Sequence, residues 1–444
     1  MLGSKPSFIA SALLGLCLLH GPALHAEDLA DVYRLATEAD PQLAAAHAKL
    51  QATLQGRPQA KSALLPQINA SAGVESHDQR YDDVPPARSP FFNDTTFTRK
   101  RYGLRLDQSL YDRQSWLRLA QADSRIAQAR AEFEAARQAL IVRTAEAYFN
   151  VLAAQDNLEF AKAEKAAIAH QLEQTRERFE VGLLPVTDVR ESEAKYDLAT
   201  AQEIDAENRL DVARENLRVI IGRLPDSLAP LKDDFPLAVP EPQDIDAWVK
   251  TALENSLALR AARYAVETAR QEVKRRRAGR LPTLALSAEH GVQDDSGGFS
   301  EGKATDTVVG LALQVPLYTG GRISAQVAEA RSLLTQAERQ LDRQKRETIR
   351  QTRASYLNVL AGISRVKALR QALASTRTAH EAVEAGYEVG TRTAVDVLLA
   401  LRDTYRARRD YSRARYDYIL STFRLKQAAG TLTVSDLKKI NDWL

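Results

Sequence analysis

The sequence predicts an α+β fold, mainly α, in which two tandem copies of a long helical hairpin each follow a pair of β-strands. Three observations carry that prediction. First, Tyr148-Phe149-Asn150-Val151-Leu152-Ala153 recurs as Tyr356-Leu357-Asn358-Val359-Leu360-Ala361, Glu180-Val181-Gly182 as Glu388-Val389-Gly390, Asp188-Val189 as Asp396-Val397 and Gly222 as Gly430, all at one offset of 208 residues. Second, no proline or glycine occurs from Asp112 to Glu180, so an unbroken helix there is about 100 Å long, more than a compact domain can enclose. Third, four segments alternate apolar residues with small or polar ones in the period of a strand.

In chain order, an apolar run from Phe8 to Leu19 behind Lys5, ending in Gly21-Pro22-Ala23-Leu24-His25-Ala26, reads as a secretory signal peptide cut after Ala26. Cys17, the only cysteine, and Met1, the only methionine, leave with it. The exported chain therefore has no disulfide and relies on packing and assembly. Beyond this segment no run of about 18 apolar residues exists, which excludes a spanning helix but not a closed barrel.

Residues 27 to 54 read as helix, interrupted at Asp40-Pro41, and Leu64-Leu65-Pro66 ends the pattern. Alternation follows from Gln67 to His77 and again from Arg101, with a polar loop containing Pro85, Pro86, Pro90, Asn93 and Asp94 between. Tyr102, Leu104 and Leu106 point one way, and Arg101, Arg105 and Asp107 the other. The second half repeats this order. Leu284, Leu286 and Ala288, then Val309, Leu311, Leu313 and Val315, form apolar faces opposite small or polar ones. Strands that face lipid on one side have this pattern, as does a soluble hairpin lying on a helical core.

Long helices follow Tyr111 and Tyr318. The partner helix after Pro185 carries Tyr196, Ala199, Glu203, Ala206, Leu210, Ala213, Leu217 and Ile220 in steps of three and four, a coiled-coil seam. Its counterpart, Thr404 to Ala428, is a more polar and aromatic version. Such seams must be buried against other helices, so oligomerisation is expected. The boundaries are a signal peptide at 1–26; a first repeat at 27–222, with strands at about 67–80 and 100–111 and a tip at about 181–188; and a proline-rich connector at 223–244. A second repeat follows at 245–430, with strands at about 283–293 and 306–317 and a tip at about 389–396, then a C-terminal segment at 431–444.

Several function classes are excluded. A formal net charge of +3 is too balanced for nucleic-acid binding. The histidines show no metal-ligand spacing, and no Gly-x-Ser-x-Gly nucleophile motif occurs. Gly297 to Lys303 imitates a phosphate loop, but Ala304 replaces the magnesium-binding hydroxyl and the segment joins two strands. The run Lys274-Arg275-Arg276-Arg277 complements a helix C-terminus. The chain is expected to be no enzyme and to hold no cofactor.

The turns Val181-Gly182-Leu183-Leu184-Pro185-Val186-Thr187-Asp188 and Val389-Gly390-Thr391-Arg392-Thr393-Ala394-Val395-Asp396 join the paired helices. Glycine suits the helix end, proline the first turn, and aspartate the N-terminal dipole. Gly386-Tyr387-Glu388-Val389-Gly390-Thr391-Arg392-Thr393-Ala394-Val395-Asp396-Val397-Leu398, with Ala429-Gly430-Thr431-Leu432 downstream, resembles the second repeat of the TolC family of outer-membrane exit ducts. Val181-Gly182-Leu183 through Val189 is similar to the first.

The resemblance implies a homotrimeric α-barrel tunnel in the periplasm. Each chain contributes four strands to one shared twelve-stranded barrel in outer-membrane lipid. The expected function is type I protein secretion and/or multidrug efflux, with a periplasmic adaptor and an inner-membrane pump or ABC transporter as partners. Val181, Gly182, Leu183, Val389, Gly390 and Thr391 match the adaptor-docking turns. Tyr387 and Arg392 match gate residues that tie the inner hairpin to its neighbour through groups at Thr187 and Asp188. Asp396 matches the first of two entrance acids, while Leu399 stands at the second, so the acidic ring is weaker. Asp396 also reads as a plain helix-start charge. A non-conducting trimeric coiled-coil protein of the cell surface is the contrasting reading; it gives the strand pairs and the twice-built tip no role.

Overall fold

A computed structural model describes residues 26–81, 94–225, 227–232, 234–297 and 301–444. The signal segment up to His25, the polar-loop residues Pro85 to Asn93, and 298–300 of the glycine-rich loop lie outside the described residues.

The first three helices are α1 (Leu29–Ala39), α2 (Pro41–Leu54) and α3 (Gly56–Ser62). Asp40 explains the interruption between α1 and α2: its buried carboxylate accepts from the Leu43 N–H at 2.7 Å, capping α2, and pairs with Arg143 at 2.7 Å. Strands β1 (Gln67–Gln79) and β2 (Thr95–Tyr111) precede α4 (Arg113–Glu180) and α5 (Val186–Ile221). After the connector come α6 (Ile245–Asn255), α7 (Leu257–Ala278), β3 (Thr283–Ser296), β4 (Gly302–Gln314), α8 (Arg322–Glu388), α9 (Ala394–Ala428) and α10 (Val434–Asn441). Helices α4 and α8 run unbroken for 68 and 67 residues. Asp112 starts the first of them, accepting from Gln114 N–H at 2.9 Å and the Ser115 hydroxyl at 2.6 Å.

Several strand ends differ from expectation; β3 also runs on to Ser296, past the expected 293. β2 begins at Thr95 rather than near 100, because Arg99 grips Asp295 through two bonds of 2.8 and 2.9 Å and extends pairing into a stretch without apolar alternation. β4 runs from 302 to 314 rather than 306 to 317; Pro316 has no N–H to continue the ladder. The strands form one antiparallel sheet in the order β1-β2-β3-β4. Thus the two hairpins are joined through β2 and β3, far apart in sequence. In the register, the row Ile68, Leu106, Ala288, Val309 crosses all four strands on one face. Leu104, Leu286, Leu311 and Leu313 extend that face, while Asn69, Arg101, Arg105, Glu289 and Gln293 lie on the other. The apolar face is uncovered, with Val309 70% and Leu311 68% exposed. Strands β1 and β4 are the sheet edges and have one neighbour each among the described residues.

Helix α5 pairs with α4, α9 pairs with α8, and α9 also packs on α4. The seams are buried within the chain at Ala199, Ala206, Leu210 and Leu217, and at Ala407, Ala414, Tyr418 and Leu425. The main core lies at mid-length, where the N-terminus, the connector and α10 wrap the hairpins around Tyr148, Phe149, Tyr416, Tyr418 and Phe423. Tyr148 donates to the Ala229 carbonyl at 2.7 Å, and Asn441 donates to Asp28 at 2.8 Å. Among the described residues no helix is long and apolar enough to cross a membrane.

Candidate functional site

The two hairpin tips share one backbone solution. Gly182 and Gly390 hold φ of +79° and +78°, the left-handed conformation that favours glycine at a helix end. Leu183 N–H returns to the Arg178 carbonyl at 2.8 Å, and Thr391 N–H to the Gly386 carbonyl at 2.8 Å. Val181, Leu183 and Val389 are exposed beyond these bonds. Three apolar side chains therefore protrude from a hydrogen-bonded turn into solvent.

The second tip is more tightly capped. Thr393 and Asp396 form a reciprocal pair: Asp396 N–H donates to the Thr393 hydroxyl oxygen at 3.2 Å, and the Asp396 carboxylate accepts from Thr393 N–H at 3.0 Å. The Thr393 N–H foremost, and then the Thr393 hydroxyl donating at 2.9 Å, hold the Asp396 carboxyl below its ordinary value. Asp396 was legible in the sequence as a helix-start charge, but its reciprocal bonding with Thr393 was not. Arg392 lies over Gly386, where its Cγ would meet an added Cβ at 2.8 Å. Thr187 donates to its neighbour Asp188 at 3.3 Å. Within the chain, neither Thr187 nor Asp188 is hydrogen-bonded to Tyr387 or Arg392 among the described residues.

Tyr387 is buried against Val383, Ala394 and Val397. Its hydroxyl is enclosed and has no hydrogen-bond partner among the described residues. What reaches it is Arg178 of α4, whose guanidinium carbon sits 4.3 Å from the ring centroid. Arg178 carried no local sequence signal, because its partner belongs to the other hairpin.

Farther from the tips a run of polar links joins α4 to α9. Arg424 pairs with Glu146 at 2.7 Å, Arg413 donates to Asn150 at 2.9 Å, Tyr416 donates to Asp156 at 2.8 Å, and Ser412 also bonds Asp156. The last is Arg409 with the buried Glu164 at 3.5 Å, where burial pushes the carboxyl up against the pull of Arg409, Arg402 and Arg406. These pairings also escaped sequence reading, since helix-surface charges look alike until the partner face is known. Among the described residues no group of three or more His, Cys, Asp or Glu could hold a metal ion.

The outer membrane efflux protein family matches the chain twice, over residues 32–223 and 248–431. The chain belongs to this family. Outer membrane protein TolC of Vibrio cholerae is 39% identical over 98% of the chain and 97% of its own length. The alkaline protease secretion protein AprF of Pseudomonas aeruginosa is 33% identical over 93% of the chain and 86% of its own length. Among solved structures, the CmeC outer membrane channel of Campylobacter jejuni superposes with a TM-score of 0.79 at 17% identity, covering 95% of this chain and 90% of that one. It has the same fold.

Proposed function

We infer that the protein is a trimeric exit duct of the outer membrane for type I secretion and/or efflux, opened by a periplasmic adaptor and an inner-membrane pump. The observation that carries this reading is the sheet: one face apolar and uncovered, the other polar, with open edges at β1 and β4 and long helices leaving one end. Three such sheets closing edge to edge give a barrel with lipid outside and water inside. The repeats at 27–222 and 245–430, joined by 223–244 and followed by 431–444, are the units that line the tunnel below.

In this reading the exposed Val181, Leu183 and Val389, set by Gly182, Gly390 and Thr391, are the adaptor-docking surface. Arg392 offers a planar fork to Thr187 and Asp188 of an adjoining hairpin. Asp396, capped by Thr393, contributes one carboxylate per chain at the entrance, with Leu399 beside it. Tyr387 acts through its ring. Single-channel recording of the trimer extracted from outer membranes tests the assignment: a heat-modifiable, conducting trimer is expected, and a water-soluble, non-conducting protein refutes it. Arg392→Ser is expected to raise conductance from the periplasmic end; an unchanged value removes that residue from the gate.

A further inference from the structure

The two tips share a backbone but not their side chains. Arg178 occupies the place that Gly386 takes 208 residues later, and Phe179 the place of Tyr387. In the second repeat the vacant position is filled by the chain's own Arg392. In the first, Arg178 leaves its hairpin and lies on the Tyr387 ring.

The setting makes this contact consequential. Arg178 has no ion pair among the described residues, and the Tyr387 side chain is buried. A guanidinium over a shielded ring is attracted to its negative face, with less competition from water than at an open surface. Between the Arg409–Glu164 pair and the tip, roughly 20 Å of helix, no hydrogen bond or ion pair joins the two hairpins among the described residues. The apolar cluster of Ile168, Ala199 and Leu398 lies on that stretch.

We propose that Arg178 is a positioning residue of the gate, latching the α8/α9 hairpin to α4 of the same subunit through the face of Tyr387. The latch rests on the reading of the tips as the gate. It acts within a subunit, whereas Arg392 acts towards an adjoining hairpin. Because the ring and not the hydroxyl receives the cation, Tyr387→Phe keeps the latch and Tyr387→Leu removes it.

The test is single-channel recording of trimers whose heat-modifiability is first verified for each variant. Arg178→Gln and Tyr387→Leu are each expected to lengthen the fraction of time in the high-conductance state about tenfold, the order of one shielded cation–π contact. Arg178→Lys restores part of the closure, Tyr387→Phe opens the channel less than Tyr387→Leu, and the double variant opens no further than either single one. If Arg178→Gln is silent while Arg392→Ser opens the channel, the latch is overturned and the gate stands. If neither opens it, the gate reading falls as well. Additive single effects, or opening by Tyr387→Phe equal to that of Tyr387→Leu, also overturn the latch.

Discussion

Val308 and Val309 are adjacent, identical and similarly exposed, at 60% and 70%, yet they lie on opposite faces of β4. Introducing arginine at each separates the proposed lipid face from the proposed lumen. A two-residue step along a strand is about 6.6 Å, or about 4.7 Å along the membrane normal at a tilt of about 45°. The same face of β4 from Thr305 to Leu313 therefore covers about 19 Å, with Val309 at its middle, about 9 Å from either limit. At that depth an arginine in the lipid face costs about 2–4 kcal/mol. Three copies in a trimer bring about 6–12 kcal/mol, comparable with the whole stability of a domain. Val308→Arg faces water and costs little. The assay is the yield of heat-modifiable trimer in the outer membrane, with urea resistance of the extracted protein. Loss for Val309→Arg with retention for Val308→Arg is expected. Equal loss, or retention of Val309→Arg, refutes the orientation of the sheet.

Two further outcomes test the architecture and its charges. Gly430 has φ +72° and sits against the Asn255 carbonyl, whose carbon would lie 2.6 Å from an added Cβ, whereas Gly182 at φ +79° has open space. Gly430→Ala should lower stability by about 3 kcal/mol or more, and Gly182→Ala by only about 1–2 kcal/mol; thermal melts rank the two. Glu272 is held down to about 2, from an ordinary 4.5, by hydrogen bonds from Arg275 first, then Arg276 and Gln121, against the opposing effect of burial. Because the folded value is the lower one, its contribution is present above about pH 4.5 and is lost as the pH falls towards 2. Glu272→Gln should be less stable than the parent at neutral pH and converge with it near pH 2; a gap independent of pH refutes the linkage.

The sequence was most legible where one local pattern dictates structure. The absence of proline and glycine from Asp112 to Glu180 marked one long helix, and Leu284-x-Leu286-x-Ala288 marked a strand with one apolar side. At Asp40-Pro41, the restriction that a proline puts on the residue before it indicated a helix break. Contacts made at long range were not legible. Nothing beside Arg178 points to Tyr387, and nothing near Glu146, Asp156 or Glu164 selects Arg424, Tyr416 or Arg409 from the other polar residues of α9. The pairing of β2 with β3 was hidden for the same reason: 170-odd residues of helix and connector intervene, and strand alternation specifies faces but not neighbours. Thr95 to Lys100 became strand because Arg99 found Asp295, a fact outside any local window.

The open edges of β1 and β4 make folding and assembly one event. A lone chain presents two rows of unsatisfied backbone donors and acceptors, and at the bilayer core each such group costs several kcal/mol. An isolated subunit therefore has no resting place in lipid, and barrel closure is a third-order requirement on protomer concentration. Dilution should select against insertion before it affects the helical part, and a subunit with a defective edge should poison the two sound ones that close around it.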